Sequence, residues 1–431
     1  LFTKVDVQPV GDEDQNKDLL ISVEERPNLY FELGGAAATD QGIQAFGRMG
    51  HRNLFGLGHR LTLLGQAGVG WIGDGWVPDI AAPEWRAAAR YEAPNIPASG
   101  QNLAVDILFN AQDQESYFRI ERSGIGLGIR VSLGGRSSAE LAWRAQIRRL
   151  QDADPALLIV QDPWNEVFEE NNLVFPTPYR PWSGPVFSLL LDGRDDAFNP
   201  HRGMVANLEV VVSDGLLARL TDISFEETPW IRSEAGISAH IPLGAELGLL
   251  LKLRGGISLG GGEHTLPMED RFRLGGGSSL RGFAPDSIGP SNLASTVNLD
   301  LPDEIEPMIS WAARKDQRWI PTGGDSMALG SIELKIPFTS LGLSDWEGWQ
   351  AAVFADAGNV WFRQEDIQTD SSLAGIDPTL RYSVGFGVRR TTAVGPIQID
   401  VGFNPNPIPE REEPLFPGFI PVRIHLSLGA L

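Results

Sequence analysis

The chain contains no cysteine. That excludes disulfide scaffolds, thiolate metal sites and cysteine nucleophiles. No run of 18 apolar residues occurs, so no membrane-spanning helix is expected. Basic charge is scarce: 35 Lys and Arg face 56 Asp and Glu, a formal net charge of −21. A nucleic-acid binder needs a basic footprint, so no nucleic-acid partner is expected. GxSxG, HExxH and phosphate-loop signatures are missing, and no nucleophile–base constellation stands out. The chain is therefore not read as an enzyme. His51 and His59, on either side of a turn, make a poor metal pair, and no metal or cofactor is expected. The first residues, Leu-Phe-Thr-Lys-Val, carry neither a basic nor an apolar leader, and read as a processed start or the interior of a longer protein.

What is present is turn and strand chemistry. Among 431 residues there are 49 Gly and 30 Pro, nearly a fifth of the chain, with 12 Trp and 20 Phe. This suits many strands joined by turns and long loops. The mean hydropathy of −0.11 would fit a soluble protein, but also a β-barrel whose strands are apolar on one face only.

Alternation of period two recurs along the chain. In 380–390, Leu380, Tyr382, Val384, Phe386 and Val388 oppose Arg381, Ser383, Gly385, Gly387 and Arg389. In 332–338, Ile332, Leu334, Ile336 and Phe338 oppose Glu333 and Lys335. In 397–403, Ile397, Ile399, Val401 and Phe403 oppose Gln398, Asp400 and Gly402. Such strands have one apolar and one polar face. A soluble sandwich would show the same alternation. Two features favour a membrane barrel instead. Trp349 and Trp361 share one face across Ala351, Val353, Ala355 and Ala357. Twelve residues at about 3.3 Å each, tilted about 45°, span roughly 28 Å, close to the apolar band of a barrel. The links between strands also alternate, mostly short and then mostly long, as in single-chain bacterial barrels.

The expected fold is all-β: a sixteen-stranded antiparallel transmembrane barrel over 28–431. Its strands lie near 29–37, 42–50, 58–71, 84–93, 102–113, 116–132, 140–150, 185–192, 203–213, 225–241, 247–259, 328–338, 349–361, 379–391, 395–404 and 421–431. One long loop spans 260–327. The apolar positions of the 116–132 strand change phase between Ile120 and Ile125, so a bulge is expected at Ser123-Gly124. Leu249, Leu251, Leu253 and Ile257 should face lipid, and Lys252 and Arg254 the lumen. Residues 1–27 read as two strands around a polar linker, too few to stand alone. The acidic runs Asp12–Asp14 and Glu410–Glu413 read as solvated loops.

The most particular segment is RFRLGGGSSLRGFAPDSIGP at 271–290, a glycine-rich stretch with Arg281, Gly282 and Phe283 in sequence. It resembles the long-loop motif of the outer-membrane β-barrel assembly superfamily, the bacterial surface antigen family that includes BamA and TamA. ADAGNVW (355–361), GSIELKIPF (330–338), LDGRDDAFNPHRG (191–203) and GPIQIDVGFNP (395–405) resemble further segments of that family, in the same order. VEERP followed by LYFELGG resembles the passage from the last POTRA repeat into the first barrel strand. The chain departs from the family at its end, Ser427-Leu428-Gly429-Ala430-Leu431, where an aromatic residue is usual.

The resemblance implies that the long loop folds into the lumen and that Arg281 meets inward carboxylates, with Asp356 and Glu333 matched by motif. The alternation independently places both carboxylates opposite an apolar face. The resemblance also implies residence in the bacterial outer membrane with a periplasmic N-terminus, and a role in inserting client β-barrels. Clients would enter through a lateral seam between the first and last strands, at Leu33, Gly34 and Gly35 and at Leu426, Leu428 and Gly429. Glycine weakens a strand interior, which suits a seam. Partners implied are unfolded outer-membrane proteins, outer-membrane lipid and periplasmic or lipoprotein accessory subunits. A secretion channel for one protein partner is the alternative, and a passive pore is less favoured.

Overall fold

The computed structural model describes residues 2–10, 18–40, 42–71, 78–94, 101–114, 119–151, 180–197, 199–221, 229–244, 247–260, 266–293, 319–321, 323–361, 380–392, 395–407 and 421–428. The acidic runs Asp12–Asp14 and Glu410–Glu413, and Gly429, lie outside these residues. Two strands, β1 (Phe2–Val10) and β2 (Asp18–Glu25), pair antiparallel as a separate hairpin. Sixteen strands then close into one antiparallel barrel. They are β3 (Leu29–Ala38), β4 (Gly42–Leu54), β5 (His59–Trp71), β6 (Pro78–Pro94), β7 (Gln101–Gln114), β8 (Arg119–Gly134), β9 (Ser137–Gln151) and β10 (Arg180–Asp192). The second half comprises β11 (Gly203–Val212), β12 (Trp230–Leu243), β13 (Leu247–Gly260), β16 (Ser326–Pro337), β17 (Trp349–Trp361), β18 (Arg381–Thr392), β19 (Gly395–Phe403) and β20 (Val422–Leu428). Between β13 and β16 the long loop carries a small ribbon, β14 (Ser291–Leu293) with β15 (Trp319–Pro321). Among the described residues no helix is long and apolar enough to cross a membrane.

The alternation of the sequence becomes the two faces of this wall. On β8, Ile125, Leu127 and Ile129 point outward, about half exposed. On β13, Leu253 and Ile257 are exposed, while Leu250 and Ser258 on the other face are buried. An outward apolar band is what lipid requires, since hydrocarbon offers no partner to polar groups.

Ile120 shows where the expected bulge was misplaced. It is buried on the inward face of β8, and β8 pairs with β9 without interruption through Ser123 and Gly124. The irregularity lies on β7, where Phe109 and Asn110 oppose Ser123 alone. The Ser123 hydroxyl donates to the Phe109 carbonyl at 2.9 Å. The apparent phase change arose because one inward residue, Ile120, is apolar.

β10 begins at Arg180, ahead of the expected 185–192, and carries Pro181 and Pro185. Those prolines pair with β9, whereas β11 joins only from Val186 onward. A residue without an N–H is tolerated where a neighbour is missing on one side. That side is filled by α1 (Leu216–Thr221), through Asp214 N to Ser183 O at 2.9 Å and Leu217 N to Ser183 Oγ at 2.8 Å.

The lumen is not uniformly polar. Leu266, Phe272, Leu274, Leu280, Phe283 and Ile288 of the long loop are buried and cluster with Trp182, Val186, Trp230, Met327, Leu329 and Val360 of the wall. This apolar cluster is the protein's core, and it sits inside the barrel.

Candidate functional site

Arg281 is 5% exposed, inside the barrel. Its Nε and Nη2 donate to the two oxygens of Asp356 at 2.8 and 2.7 Å, the bidentate fork a guanidinium is shaped for. Nη1 donates to Glu333 at 2.6 Å and lies 3.6 Å from Asp400. The guanidinium carbon stands 3.4 Å from the Phe354 ring centroid, so the charge is covered by an aromatic face.

The wall supplies more than the two motif carboxylates. Asp400 accepts from Arg389 Nη1 and from Gln398 Nε2, at 2.5 and 2.6 Å. Arg389 Nη2 also reaches Glu333 at 3.0 Å. Ser331 donates to Asp356 at 2.6 Å. Lys252 stands opposite Ser331 in register, and Ser331 opposite Asp356. Three carboxylates thus share two guanidinium groups and a neighbouring ammonium.

Space for this arrangement comes from wall glycines. A Cβ on Gly402 would lie 2.1 Å from the Arg281 carbonyl, and one on Gly385 would lie 2.2 Å from the Val401 carbonyl and 2.4 Å from Phe354. Gly282 is similarly tight, with Ser383 at 2.7 Å and the Phe403 carbonyl at 2.9 Å from its notional Cβ. Phe283, fully buried, holds the following turn in the apolar core, and its carbonyl accepts from Gly276 N at 3.1 Å. The Arg281 carbonyl accepts from His425 Nε2 at 2.8 Å, which ties the loop to β20.

β20 is also one side of the junction that shows the fewest pairs among the described residues. Among the described residues, β3 meets β20 only at Ala37 opposite Leu428 and Ala38 opposite Ser427. Thr39 N donates to the Leu426 carbonyl at 3.0 Å, and Leu426 N to the Thr39 hydroxyl at 3.3 Å. On its other side β20 pairs with β19 continuously, from Val422 opposite Phe403 to Leu428 opposite Ile397. Leu33, Gly34 and Gly35 pair with β4, opposite Gly47, Phe46 and Ala45. Gly34 also has a packing role: a Cβ there would lie 2.3 Å from the Phe46 ring on β4. Leu29, Phe31 and Leu33 point outward from this edge and are strongly exposed.

The family description that matches this chain is the Omp85 superfamily domain, over residues 53–429. The chain belongs to the Omp85 superfamily. Among solved structures it is similar to BamA from Haemophilus ducreyi lacking POTRA domains 1-3, with TM-score 0.70 and 16% identity, covering 99% of this chain and 75% of that one. It is similar also to CdiB from Acinetobacter baumannii, with TM-score 0.51 and 12% identity, covering 99% of this chain and 65% of that one. At these identities the likeness is one of fold. Omp85 barrels are outer-membrane proteins, which agrees with the apolar outer wall.

This Omp85 barrel holds its loop at a second point that sequence reading missed. Asp270 accepts from Arg148 Nη1 at 2.8 Å, and Glu269 lies 3.5 Å from Arg180 Nη1. Arg148 also stacks on Trp182 at 4.6 Å, and Arg232 on Phe272 at 4.3 Å. The loop is thus an acid where the β9–β10 wall is basic, and a base where the β16–β19 wall is acidic. The signal was MED just ahead of RFRLGGG, but its partners Arg148 and Arg180 lie about 120 and about 90 residues earlier and no local pattern names them. His51 and His59 serve the fold: the Asn53 amide donates to His51 Nδ1 at 3.2 Å, and His59 Nδ1 shares a hydrogen bond with the Tyr91 hydroxyl at 2.6 Å. Among the described residues no group of acids and histidines is arranged for a metal.

Proposed function

We propose that this barrel inserts client β-barrel proteins into the outer membrane by accepting their strands at the β3–β20 junction. The observation that carries the reading is the short pairing there, confined to Ala37–Leu428 and Ala38–Ser427 among the described residues. Among the described residues every other neighbouring pair of barrel strands has at least seven paired positions. Unpaired backbone groups facing hydrocarbon cost several kcal/mol each, so an edge left open in a membrane is a site that wants a strand. An incoming strand can pair with β3 by β-augmentation, its side chains alternating between lipid and lumen. In this reading the N-terminus is periplasmic, and the β1–β2 hairpin is the end of a POTRA repeat that hands clients to the junction. Accessory lipoproteins would meet the protein on that side. The packed core filling the lumen supports this reading over an open conduit.

The cysteine-free chain permits a direct test. Ala38→Cys with Ser427→Cys places two thiols at directly opposed positions, within disulfide reach. The oxidised protein should fold but lose client insertion in a vesicle assay, and reduction should restore it. Undiminished insertion in the locked form would sink the proposal. Intact export of a single partner by the locked form would favour a secretion channel.

A further inference from the structure

We infer that the outer wall at the short-turn end of β16–β18 carries a binding shelf for the phosphate headgroup of a membrane phospholipid. Arg390 is the first reason. It follows Tyr382, Val384, Phe386 and Val388 on the outward face of β18, one step beyond the last apolar residue. It is exposed, and its guanidinium carbon lies 5.1 Å from the centroid of the Trp349 ring on β17. Among the described residues it pairs with no carboxylate, unlike Arg281 and Arg389 in the lumen. A cation placed where an apolar band ends meets the lipid phosphates.

The turn between β16 and β17 supplies the rest. Trp346 packs edge-on against Trp349 at 5.7 Å and against Phe338 at 6.0 Å. Half of Trp346 remains exposed, with Leu341 and Leu343 exposed beside it. Amphipathic rings at an apolar boundary are what the headgroup region favours. The surface is continuous with the lipid-facing wall, through Trp349, Ala351 and Val353 on β17 and Val388 and Phe386 on β18. The turn between β10 and β11 at the same end is different in kind. Asp195 receives the amides of His201 and Arg202, and Arg194 pairs with Asp192. That turn is built for water. The occupant of the shelf is therefore a phospholipid of the adjoining leaflet, held by its phosphate on Arg390 and by its glycerol and upper acyl region on the Trp346–Trp349 rings. The assignment does not depend on the insertion role proposed above.

Leu343→Cys gives a labelling site on the shelf in a chain with no other thiol, and Arg202→Cys gives a control on the polar turn. Each, carrying a small fluorophore, is reconstituted in phosphatidylethanolamine–phosphatidylglycerol vesicles doped with a headgroup-nitroxide phospholipid. Barrel formation is checked by the mobility shift between unheated and heated samples. The label at 343 should be quenched several-fold more than the label at 202. Adding Arg390→Gln should remove most of that difference, and Arg390→Lys should restore part of it. Equal quenching at the two positions would overturn the assignment. So would quenching at 343 that is indifferent to Arg390→Gln, or loss of quenching when inorganic phosphate alone is added, which would mark a plain anion site.

Discussion

The carbonyl of Arg281 accepts a hydrogen bond from His425 Nε2 at 2.8 Å, so the residue that anchors the lumenal loop also touches the last strand of the barrel. The loop anchor and the weak junction are thereby neighbours in one structure. Gly277 lies against the same histidine, with a notional Cβ 3.2 Å from its ring. Whatever releases the loop removes a support from β20.

Replacement of Arg281 by Ala leaves Glu333 and Asp356 without their shared cation. Breaking a buried pair costs about 3–5 kcal/mol, and the remaining Arg389 and Lys252 offset part of this. The expected result is a barrel that still forms but a loop 266–293 that becomes open to protease. Amide exchange in β20 should rise with it, as the His425 contact is lost. Arg281→Lys should be intermediate, keeping charge but losing the fork on Asp356. A loop as protected as the parent's in the Ala variant would contradict this account.

Gly402→Ala tests the same anchor without touching a charge. Its Cβ would meet the Arg281 carbonyl at 2.1 Å, and a backbone atom cannot step aside as a side chain can. Overpacking of this kind costs about 1–3 kcal/mol. Loop protection should fall as it does in Arg281→Ala. Gly65→Ala, where no atom lies within 4 Å of the notional Cβ, should be silent.

The second anchor yields a charge-exchange test. Asp270→Arg or Arg148→Asp alone places like charges together in the lumen and should loosen the loop. The double exchange should recover much of the loss, giving a coupling of about 1 kcal/mol or more between residues in direct contact. Additive effects in protease protection would mean that the 2.8 Å pair contributes nothing.

Wall polarity predicts unequal responses at adjacent positions. Leu251 lies opposite Ile332 on the lipid side, and Lys252 opposite Ser331 on the lumen side. Leu251→Arg should cost about 2–4 kcal/mol if it sits near the midplane, whereas Lys252→Gln should cost far less. Urea titration of the reconstituted barrel measures both. Equal costs would point to a sheet wetted on both faces.

Period two, read from residues such as Val384, Phe386 and Val388, determined by itself that these segments are strands with one lipid-compatible face. It also put Glu333, Asp356 and Asp400 on the other face, because successive side chains of a regular strand point to opposite faces. The RGF segment of the loop was visible as a motif. The tertiary structure alone decided which of those inward groups meet. Arg281 reaches Glu333, Asp356 and Asp400 from three different strands, and that depends on how far each strand is staggered against the next. It also decided that Ile120 faces inward and that Asp270 finds Arg148. Closure fell outside the sequence's reach as well: that Ala37 meets Leu428 and Ala38 meets Ser427 depends on the register of β20 on β19. Local composition fixes a face within one strand, whereas register and stagger are properties of the whole closed ring.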